Sequence, residues 1–391
     1  MNVFDTTSTI LVTCPKGMPD ILADELSGLG FADIHPLEAG VETRGTLADC
    51  MRLNLWVRTG HRVLLELARL DAPGPDELHR AVRKLDWQRY LGVDGYFRVD
   101  AVIRDTAVND SRFAALRVKD AVADHFNDRF GKRPDSGPET KGVCLFLHWQ
   151  GRRATLYLDT TGEPLPRRGY RKRPHKAPMQ ETLAAACVLA SGWPALARRN
   201  AHFVAPMCGS GTLAIEAALI ALNGAPGLLR DHFAFMAVPG YDPGCWDALV
   251  ADAEDAENPG FHGRIIATDH DPEAVEAARH NARAAGVGDF IEFGACDFRR
   301  TDVPAGPGIV MLNPEYGERL GDAAQLGAVY KAIGDFFKQS CPGKTGFIFT
   351  GNLKLAKQVG LRTKSRRTLF NAKIECRLLE YELYDGTRKG E

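Results

Sequence analysis

The C-terminal half of the sequence contains four short groups of residues whose types and spacing suit the binding of a nucleoside cofactor and an amino group. The first is the glycine loop, residues 206–212, with the sequence Pro206-Met207-Cys208-Gly209-Ser210-Gly211-Thr212. It lies between a short apolar strand and a helix, where glycines let the backbone approach a ligand closely. A tight turn that binds nothing has the same pattern, so the glycine loop alone leaves both interpretations open.

Two aspartates follow the next two predicted strands. Asp269 ends the second strand, where a carboxylate can accept hydrogen bonds from both hydroxyls of a ribose. It lies farther from the glycine loop than the usual twenty or so residues, because an insertion of residues 223–263 comes between them. Capping a helix is the alternative role for Asp269, although Asp271 suits that role better. Asp297 can accept a hydrogen bond from an adenine amino group, with Phe298 against the ring, or can simply be a solvated loop residue.

The fourth group, Asn313-Pro314-Glu315-Tyr316-Gly317, directly follows the fourth predicted strand. The side-chain oxygen of Asn313 and the next backbone carbonyl can both accept hydrogen bonds from one amino group, which orients the nitrogen lone pair towards a methyl donor. Pro314 stiffens the turn and removes a competing N–H, while Tyr316 can stack on a base extruded from its helix. A simple turn suits the same residues. However, open α/β sheets bind ligands at strand C-termini, so four groups at four consecutive strand ends favour a single site.

The elements that must position these groups alternate between strand and helix from residue 203 onwards, which is typical of a parallel α/β sheet. Residues 308–312 are apolar throughout, as a central parallel strand should be. Asp271 is a suitable N-cap, and Pro272 suits the first helical turn. The predicted strands are 203–204, 264–268, 290–293, 308–312 and 346–350, followed by a hairpin of 367–370 and 374–383. The predicted helices are 212–222, 271–285 and 323–337.

Before residue 160 the sequence predicts an α+β module without a nucleotide-binding loop. Strands are predicted at 9–13, 96–103, 143–149 and 153–159, and helices at 18–29 and 111–126. Prolines and glycines interrupt regular structure after residue 160, and the sequence RRGYRKRPHK follows at residues 167–176, here called the basic run. We therefore expect three parts: a module of residues 1–160, a basic connector of residues 161–176, and a catalytic domain of residues 177–391.

The overall composition is that of a soluble globular enzyme. The chain has 391 residues, 45% of them hydrophobic and 25% charged, which suits two domains with sizeable cores. The formal net charge is −1, so affinity for nucleic acid must come from a local basic face. Nine cysteines without a CxxC pair indicate reduced thiols and a cytoplasmic protein without a zinc site. We expect no metal, no membrane span and no secretory leader.

Motifs spread over nearly the whole chain resemble a known family, the THUMP-domain RNA guanine-N2 methyltransferases. The resemblance is strongest to the members that modify large-subunit ribosomal RNA, once labelled N6-adenine-specific DNA methylases. The later motifs are specific, and their order matches. The motifs are CPKG (14–17), NLW (54–56), RVLL (62–65), ALRVKD (115–120), RGYR (168–171), MCGSGTL (207–213), NPEYGERL (313–320), TGN (350–352) and LFN (369–371).

The resemblance implies a fold, a cofactor and a substrate. A ferredoxin-like plus THUMP module should precede a seven-stranded, Rossmann-like class I methyltransferase domain with strand order 3-2-1-4-5-7-6. S-adenosylmethionine should be the cofactor, and guanine N2 in large-subunit ribosomal RNA the target. The implied cofactor-binding residues are Pro206, Cys208, Gly209, Gly211, Thr212, Asp269, His270, Asp297, Phe298 and Asn313. The implied catalytic residues are Asn313, Pro314 and Tyr316, and we expect RNA contacts from Arg168, Tyr170, Arg171, Lys172, Arg173 and Lys176.

Two residues depart from the family pattern. Ala205 stands where relatives usually have Asp, and Glu315 stands where they usually have a second proline. One hypothesis is that Glu315 partly replaces the lost acid; the alternative is that Glu315 simply faces solvent. Three other functions remain open: guanine-N2 methylation of transfer RNA, adenine-N6 methylation of DNA, and RNA binding by a chain whose transferase site has decayed. A cofactor-binding titration separates the last from the enzymes.

Overall fold

The computed structural model describes residues 3–174, 179–316 and 323–384. Its strands are β1 (Ser8–Thr13), β2 (His35–Leu37), β3 (Gly40–Gly45), β4 (Arg62–Asp71), β5 (Tyr96–Arg104), β6 (Asp135–Ser136), β7 (Val143–Gln150), β8 (Arg153–Asp159), β9 (His202–Pro206), β10 (Ile265–Asp269), β11 (Ile291–Ala295), β12 (Gly308–Leu312), β13 (Thr345–Thr350), β14 (Ser365–Asn371) and β15 (Ile374–Glu382). Its helices are α1 (Pro19–Gly28), α2 (Leu47–Trp56), α3 (Pro75–Arg83), α4 (Ser111–Phe130), α5 (Glu181–Ala190), α6 (Trp193–Ala197), α7 (Thr212–Ala221), α8 (Pro243–Asp255), α9 (Pro272–Ala284), α10 (Ala323–Ser340) and α11 (Leu353–Ala356).

The chain divides into two compact units that interleave along the sequence. The first unit comprises Met1–Cys14, Leu22–Leu165 and Arg230–Asp252, and the second comprises Pro15–Ile21, Pro166–Leu229 and Ala253–Glu391. The middle of the insertion therefore groups with the N-terminal unit, which no local pattern in the sequence indicated. The Ala234 and Phe235 amides donate to the Thr161 and Thr160 carbonyls of this unit. Within the segment, the rings of Phe233, Phe235, Tyr241 and Trp246 pack against one another.

The first unit contains an eight-stranded sheet with the order β2-β3-β1-β4-β8-β7-β5-β6. The strands predicted at 143–149 and 153–159 are confirmed as β7 and β8, which pair antiparallel as a hairpin in which Gln150 faces Arg153. Local sequence also sets a helix start in this unit: Thr46 and Asp49 form a reciprocal capping box at the beginning of α2.

The second unit contains a seven-stranded sheet with the order β11-β10-β9-β12-β13-β15-β14. Numbered within this unit, the order is 3-2-1-4-5-7-6, which confirms the expected methyltransferase topology. The strands from β11 to β13 pair parallel, whereas β15 pairs antiparallel with β13 and β14. All five residues of β10 and of β12 are buried, as expected for central parallel strands covered by helices on both faces.

One face of this sheet packs against α10 through a continuous apolar core. Val204, Val310, Leu312 and Ile348 from the strands contact the side chains of α10 and neighbouring residues. On the helical side, the cluster includes Tyr330, Ile333, Phe336 and Phe337. Within the residues that the structure describes, none of the helices combines the length and apolarity needed to cross a bilayer.

Candidate cofactor and base-binding site

The carboxyl ends of the central strands meet at one edge of the second sheet. Parallel pairing aligns Pro206 of β9 with Thr268 of β10, and Asp269 with Ala295 of β11. On its other side β9 pairs with β12, whose last residue precedes Asn313. The four groups identified in the sequence therefore follow adjacent strands, and the sheet brings them to a common edge.

The glycine loop leaves β9 through a tight turn that needs left-handed backbone conformations. Met207, Gly209 and Gly211 have φ values of +66°, +53° and +87°. At Gly211 a glycine is required twice over, because an added Cβ would lie only 2.9 Å from the Cβ of Ala278. At Gly209 no atom lies within 4 Å of the added Cβ position, so this backbone borders open space where a ligand can approach.

Asp269 connects the end of β10 to the glycine loop. Its Oδ2 accepts a hydrogen bond from the Gly209 amide at 2.9 Å, and its Oδ1 accepts one from the Asp271 amide at 3.1 Å. The His270 ring lies 3.2 Å from the same Oδ1 but is itself exposed. Asp271 is the N-cap of α9, as predicted, and accepts from the Glu273 amide. The Asp269 carboxylate thus holds the backbone of the glycine loop against the end of β10. Its contact with a ribose stays a prediction.

Pro206, Cys208 and Thr212 are the other loop residues expected at the cofactor, and their contacts with it stay predictions. Pro206 and Thr212 are buried, and the Thr212 hydroxyl accepts a hydrogen bond from Arg171 at 3.3 Å. Desolvation raises the pKa of the Cys208 thiol above its usual range. This thiol is therefore protonated at neutral pH, which suits a small packing residue and not a nucleophile.

Asp297 and Phe298 occupy the end of β11 with different surroundings from those expected. The guanidinium of Arg299 binds both oxygens of Asp297, at 2.8 and 2.6 Å, and holds the pKa of that carboxyl at about 2. Phe298 is only 9% exposed and packs edge-on against Phe336 in the core. Its ring anchors the turn that carries Asp297. The predicted contacts of both residues with an adenine stay predictions.

Asn313 carries the clearest sign of a missing binding partner in the second unit. Its side-chain Oδ1 is buried, and among the described residues nothing donates a hydrogen bond to it. A buried acceptor left unpaired costs about 1–3 kcal/mol, so native structures rarely keep one without a reason. Pro314 beside it is buried. Residues 317–320, the end of the NPEYGERL motif, lie outside the described residues.

Tyr316 is held by the hairpin that follows β13. Its hydroxyl accepts a hydrogen bond from Asn371 at 2.8 Å. Its ring lies so close to Gly351 that a Cβ added there would be 3.1 Å from the ring. Its backbone carbonyl accepts from the side-chain amide of Asn352 at 3.4 Å. Burial raises the pKa of the Tyr316 hydroxyl. The sequence had identified the motifs containing these three partners but had given them no role, because only the sheet brings them to Tyr316.

The two departures from the family pattern have opposite environments. Ala205 is 1% exposed inside β9, whereas the Glu315 side chain is exposed. The exposure of Glu315 favours the interpretation that it faces solvent over the exchange of one carboxylate for another.

The basic run is partly buried, which corrects an expectation. Arg168 and Tyr170 are each 1% exposed, and both bind Glu216, which lies inside α7. The Arg168 Nε is 3.0 Å from the Glu216 carboxylate, and the Tyr170 hydroxyl donates to it at 2.9 Å. We expected both side chains to contact RNA, but their burial against an internal carboxylate leaves them inaccessible. Burial, with the neighbouring carboxylates, raises the pKa of the Tyr170 hydroxyl well above its usual range.

The rest of the basic run divides between internal and exposed residues. Arg171 donates to the Met179 carbonyl at 2.6 Å and lies 3.3 Å from the Glu181 carboxylate. Lys172 and Arg173 expose their side chains, and their predicted RNA contacts stay predictions. Lys176 lies outside the described residues.

Two buried polar residues were missed at the sequence level, although each left a signal. Glu216 is the lone charged residue of α7, TLAIEAALIA, and an acid on an entirely apolar helix needs a buried cation. Asn281 lies on the buried face of α9 with Ala274, Ala277 and Ala278. Among the described residues, no cluster of three or more His, Cys, Asp or Glu is placed to hold a metal ion. All nine cysteines are free.

Comparison with protein-family models gives three matches along the chain. Residues 168–380 match the RMKL-like methyltransferase domain, residues 75–159 match the THUMP domain, and residues 9–64 match a ferredoxin-like domain of the RlmL type. The methyltransferase match covers more than half of the chain.

Similar proteins agree with these matches. The ribosomal RNA large subunit methyltransferase K/L of Syntrophotalea carbinolica is 40% identical over 97% of this chain and 54% of its own length. Synechocystis sp. slr0064, named as a candidate RNA methyltransferase, is 36% identical over 97% of this chain and 98% of its own. The crystal structure of SMU.472, a candidate methyltransferase complexed with SAH, has a TM-score of 0.88 at 28% identity, covering 98% of this chain and 100% of its own. The chain spans about half the length of the K/L relatives it matches.

Proposed function

The chain belongs to the family of RMKL-like methyltransferase domains, and from that premise we propose that it methylates guanine N2 in large-subunit ribosomal RNA with S-adenosylmethionine as the methyl donor. The relatives named as large-subunit ribosomal RNA methyltransferases support the substrate class. The THUMP match in the N-terminal unit supports RNA as the partner. The nine free thiols suit a cytoplasmic setting.

The observation that carries the proposal is the Oδ1 of Asn313 at the end of β12, which is buried and has no hydrogen-bond donor among the described residues. An exocyclic amino group supplies the donor that this acceptor lacks. The Pro314 carbonyl accepts the second amino hydrogen, so the two oxygens together fix the nitrogen lone pair in one direction. Fixing a nucleophile in this way lowers the barrier mainly by positioning.

The strand ends beside Asn313 fit the proposed cofactor. Gly209 borders open space, which suits close approach of the backbone to the cofactor. Asp269 presents a carboxylate at the loop, which suits a ribose. S-adenosylmethionine, when bound, supplies an electrophilic methyl group on a sulfonium. With the amino group held by Asn313 and the Pro314 carbonyl, transfer of that methyl to the nitrogen would release S-adenosylhomocysteine, and the displaced amino proton would pass to water. Asp297 fits an adenine amino group only if Arg299 shares or releases its carboxylate.

Tyr316 and the exposed part of the basic run complete the proposed substrate site. With its hydroxyl held by Asn371, the Tyr316 ring has a fixed orientation in which a face can stack on an extruded base. Lys172 and Arg173 contact RNA phosphates, and the THUMP module adds contacts based on RNA shape. We keep the division into residues 1–160, 161–176 and 177–391 as a functional one, with the qualification that residues 230–252 group with the first unit.

Nucleoside mass spectrometry tests the base, the atom and the RNA together. Ribosomal RNA, transfer RNA and DNA from a strain that lacks this gene are each incubated with the purified chain and S-adenosylmethionine. We expect N2-methylguanosine in the large-subunit RNA, formed about 10²–10³-fold more slowly by the variant Asn313→Ala. Product only on transfer RNA, or only as N6-methyladenine in DNA, would replace the proposed substrate.

Calorimetry with S-adenosylhomocysteine tests cofactor binding separately from turnover. We expect the parent chain to bind, and Asp269→Ala to lose detectable binding while its circular dichroism spectrum is unchanged. If the parent chain binds RNA but no S-adenosylhomocysteine, the transferase site has decayed.

A further inference from the structure

Asn281 is a buried amide side chain in α9 to which no role has been assigned so far. It is 1% exposed and lies one helical turn after Ala278. Ala278 packs against Gly211 so closely that a Cβ added to Gly211 would lie 2.9 Å from the Ala278 Cβ. The helix therefore runs directly beneath the glycine loop. A polar side chain at such a position must satisfy its hydrogen bonds inside the protein.

The Asn281 amide joins two segments that are distant in sequence. Its Oδ1 accepts from the Arg173 amide at 2.9 Å, and its Nδ2 donates to the Arg173 carbonyl at 2.9 Å. The same Nδ2 donates to the Ser210 carbonyl at 3.2 Å. Because Arg173 presents one donor and one acceptor to the amide, the orientation of the amide is fixed, and its second N–H points to the glycine loop.

The bond to Ser210 controls a peptide plane of the glycine loop. The Ser210 carbonyl and the Gly211 amide belong to the same peptide unit, and the Gly211 amide donates to the Cys208 carbonyl at 2.9 Å. Asn281 thus binds the carbonyl of the peptide group between Ser210 and Gly211, and the N–H of the same peptide group closes the turn. Two other loop amides, those of Cys208 and Gly209, donate to the Thr268 carbonyl and the Asp269 carboxylate at the end of β10.

The connector reaches the same loop at a second point. Arg171 donates to the Thr212 hydroxyl at 3.3 Å. The residues on both sides of the exposed Lys172 are therefore joined to the loop, Arg171 directly and Arg173 through Asn281. The backbone that presents Lys172 and Arg173 is therefore bonded to the backbone that borders the cofactor position.

We propose that Asn281 is a positioning residue that sets the glycine loop for the cofactor and couples it to the connector. This inference rests on the proposed function, because it assumes that the loop binds S-adenosylmethionine. Asparagine is the residue that fits. Aspartate lacks the two donors, leucine lacks all three bonds, and glutamine is longer by one methylene.

A matched pair of variants separates positioning from stability. Asn54 in the first unit is equally buried and also makes three hydrogen bonds, to Cys50, Thr160 and Thr161. Asn281→Leu and Asn54→Leu should both lower the unfolding temperature. Only Asn281→Leu should weaken S-adenosylhomocysteine binding in calorimetry, by about tenfold, and raise KM for S-adenosylmethionine with kcat changed less than about twofold.

Hydrogen exchange on the parent chain tests the coupling without any variant. S-adenosylhomocysteine should slow exchange of the Arg173 amide together with the amides of residues 207–212, because Asn281 links them. Protection of the loop with no change at Arg173 would overturn the coupling, and parent-like affinity in a folded Asn281→Leu chain would overturn the positioning role. If the parent chain does not bind S-adenosylhomocysteine at all, the proposed function fails instead.

Discussion

The basic run and the end of β12 were both predicted to bind a ligand, but the structure places their polar side chains in opposite situations. In the basic run the sequence offers many charges, yet Arg168 is paired with Glu216 and 1% exposed. At the end of β12 a neutral asparagine offers little in the sequence, yet its Oδ1 is buried without a described partner. Charge shows what a residue can bind, whereas an unsatisfied buried group shows that something is missing.

The physical reason lies in the cost of desolvation. A guanidinium that is buried must be paired inside the protein, and its burial keeps a ligand from reaching it. A carbonyl oxygen that is buried and unpaired has paid its desolvation cost already and gains a full hydrogen bond when a donor arrives. Substitutions at four places in the two regions test this contrast.

The largest effect is expected at the buried end of the basic run. Arg168→Ala leaves the Glu216 carboxylate buried without this cation, which should lower the free energy of unfolding by about 3–5 kcal/mol. Urea unfolding measures the loss. Arg173→Ala is the matched control, since its side chain is exposed and its loss should cost less than about 0.5 kcal/mol. Equal stability of the two variants would end the contrast within the run.

Asn313→Ala should reverse that pattern. Turnover should fall by about 10²–10³-fold, the scale seen when a preorganised polar contact to a reacting group is removed. The free energy of unfolding should stay the same or rise slightly, because the variant removes an unpaired acceptor. Single-turnover kinetics and urea unfolding on the same preparation give both values. A variant that loses stability but keeps its rate would make Asn313 a structural residue.

The exposed end of the basic run should affect RNA affinity through salt dependence. Replacing Lys172 and Arg173 together by Ala should flatten the plot of log affinity against log salt by about one unit per lost phosphate contact, and thus by up to about two units. Adding Arg171→Ala should lower stability without flattening the slope further, since Arg171 binds Met179 and Glu181. An unchanged slope in the double variant would mean that these residues are a solvated linker.

The smallest effect is expected at Glu315, which is exposed although it lies only two residues after the buried Oδ1 of Asn313. Because its side chain is exposed, Glu315→Gln should leave kcat/KM within about twofold of the parent, as surface substitutions usually do. Steady-state kinetics at neutral pH is the measurement. A loss of tenfold or more would support the alternative hypothesis, that Glu315 replaces the acid missing at Ala205.

The sequence predicted the methyltransferase sheet and the strand-end groups well because both depend on local patterns. Buried parallel strands are short apolar runs, glycines mark a turn with positive φ, and Asp271-Pro272 begins a helix. The order of the strands followed from the resemblance and is confirmed. The individual ligand contacts of the site residues stay predictions.

Only the tertiary structure decided which polar residues face inwards and what they meet. Glu216, Asn281 and Asn371 bind residues that lie 46, 108 and 55 positions away, and no local period encodes such pairs. The same holds for residues 230–252, which join the first unit through packing. Composition and periodicity fix what a segment can become, but burial and pairing depend on the other segments that the folded chain brings against it.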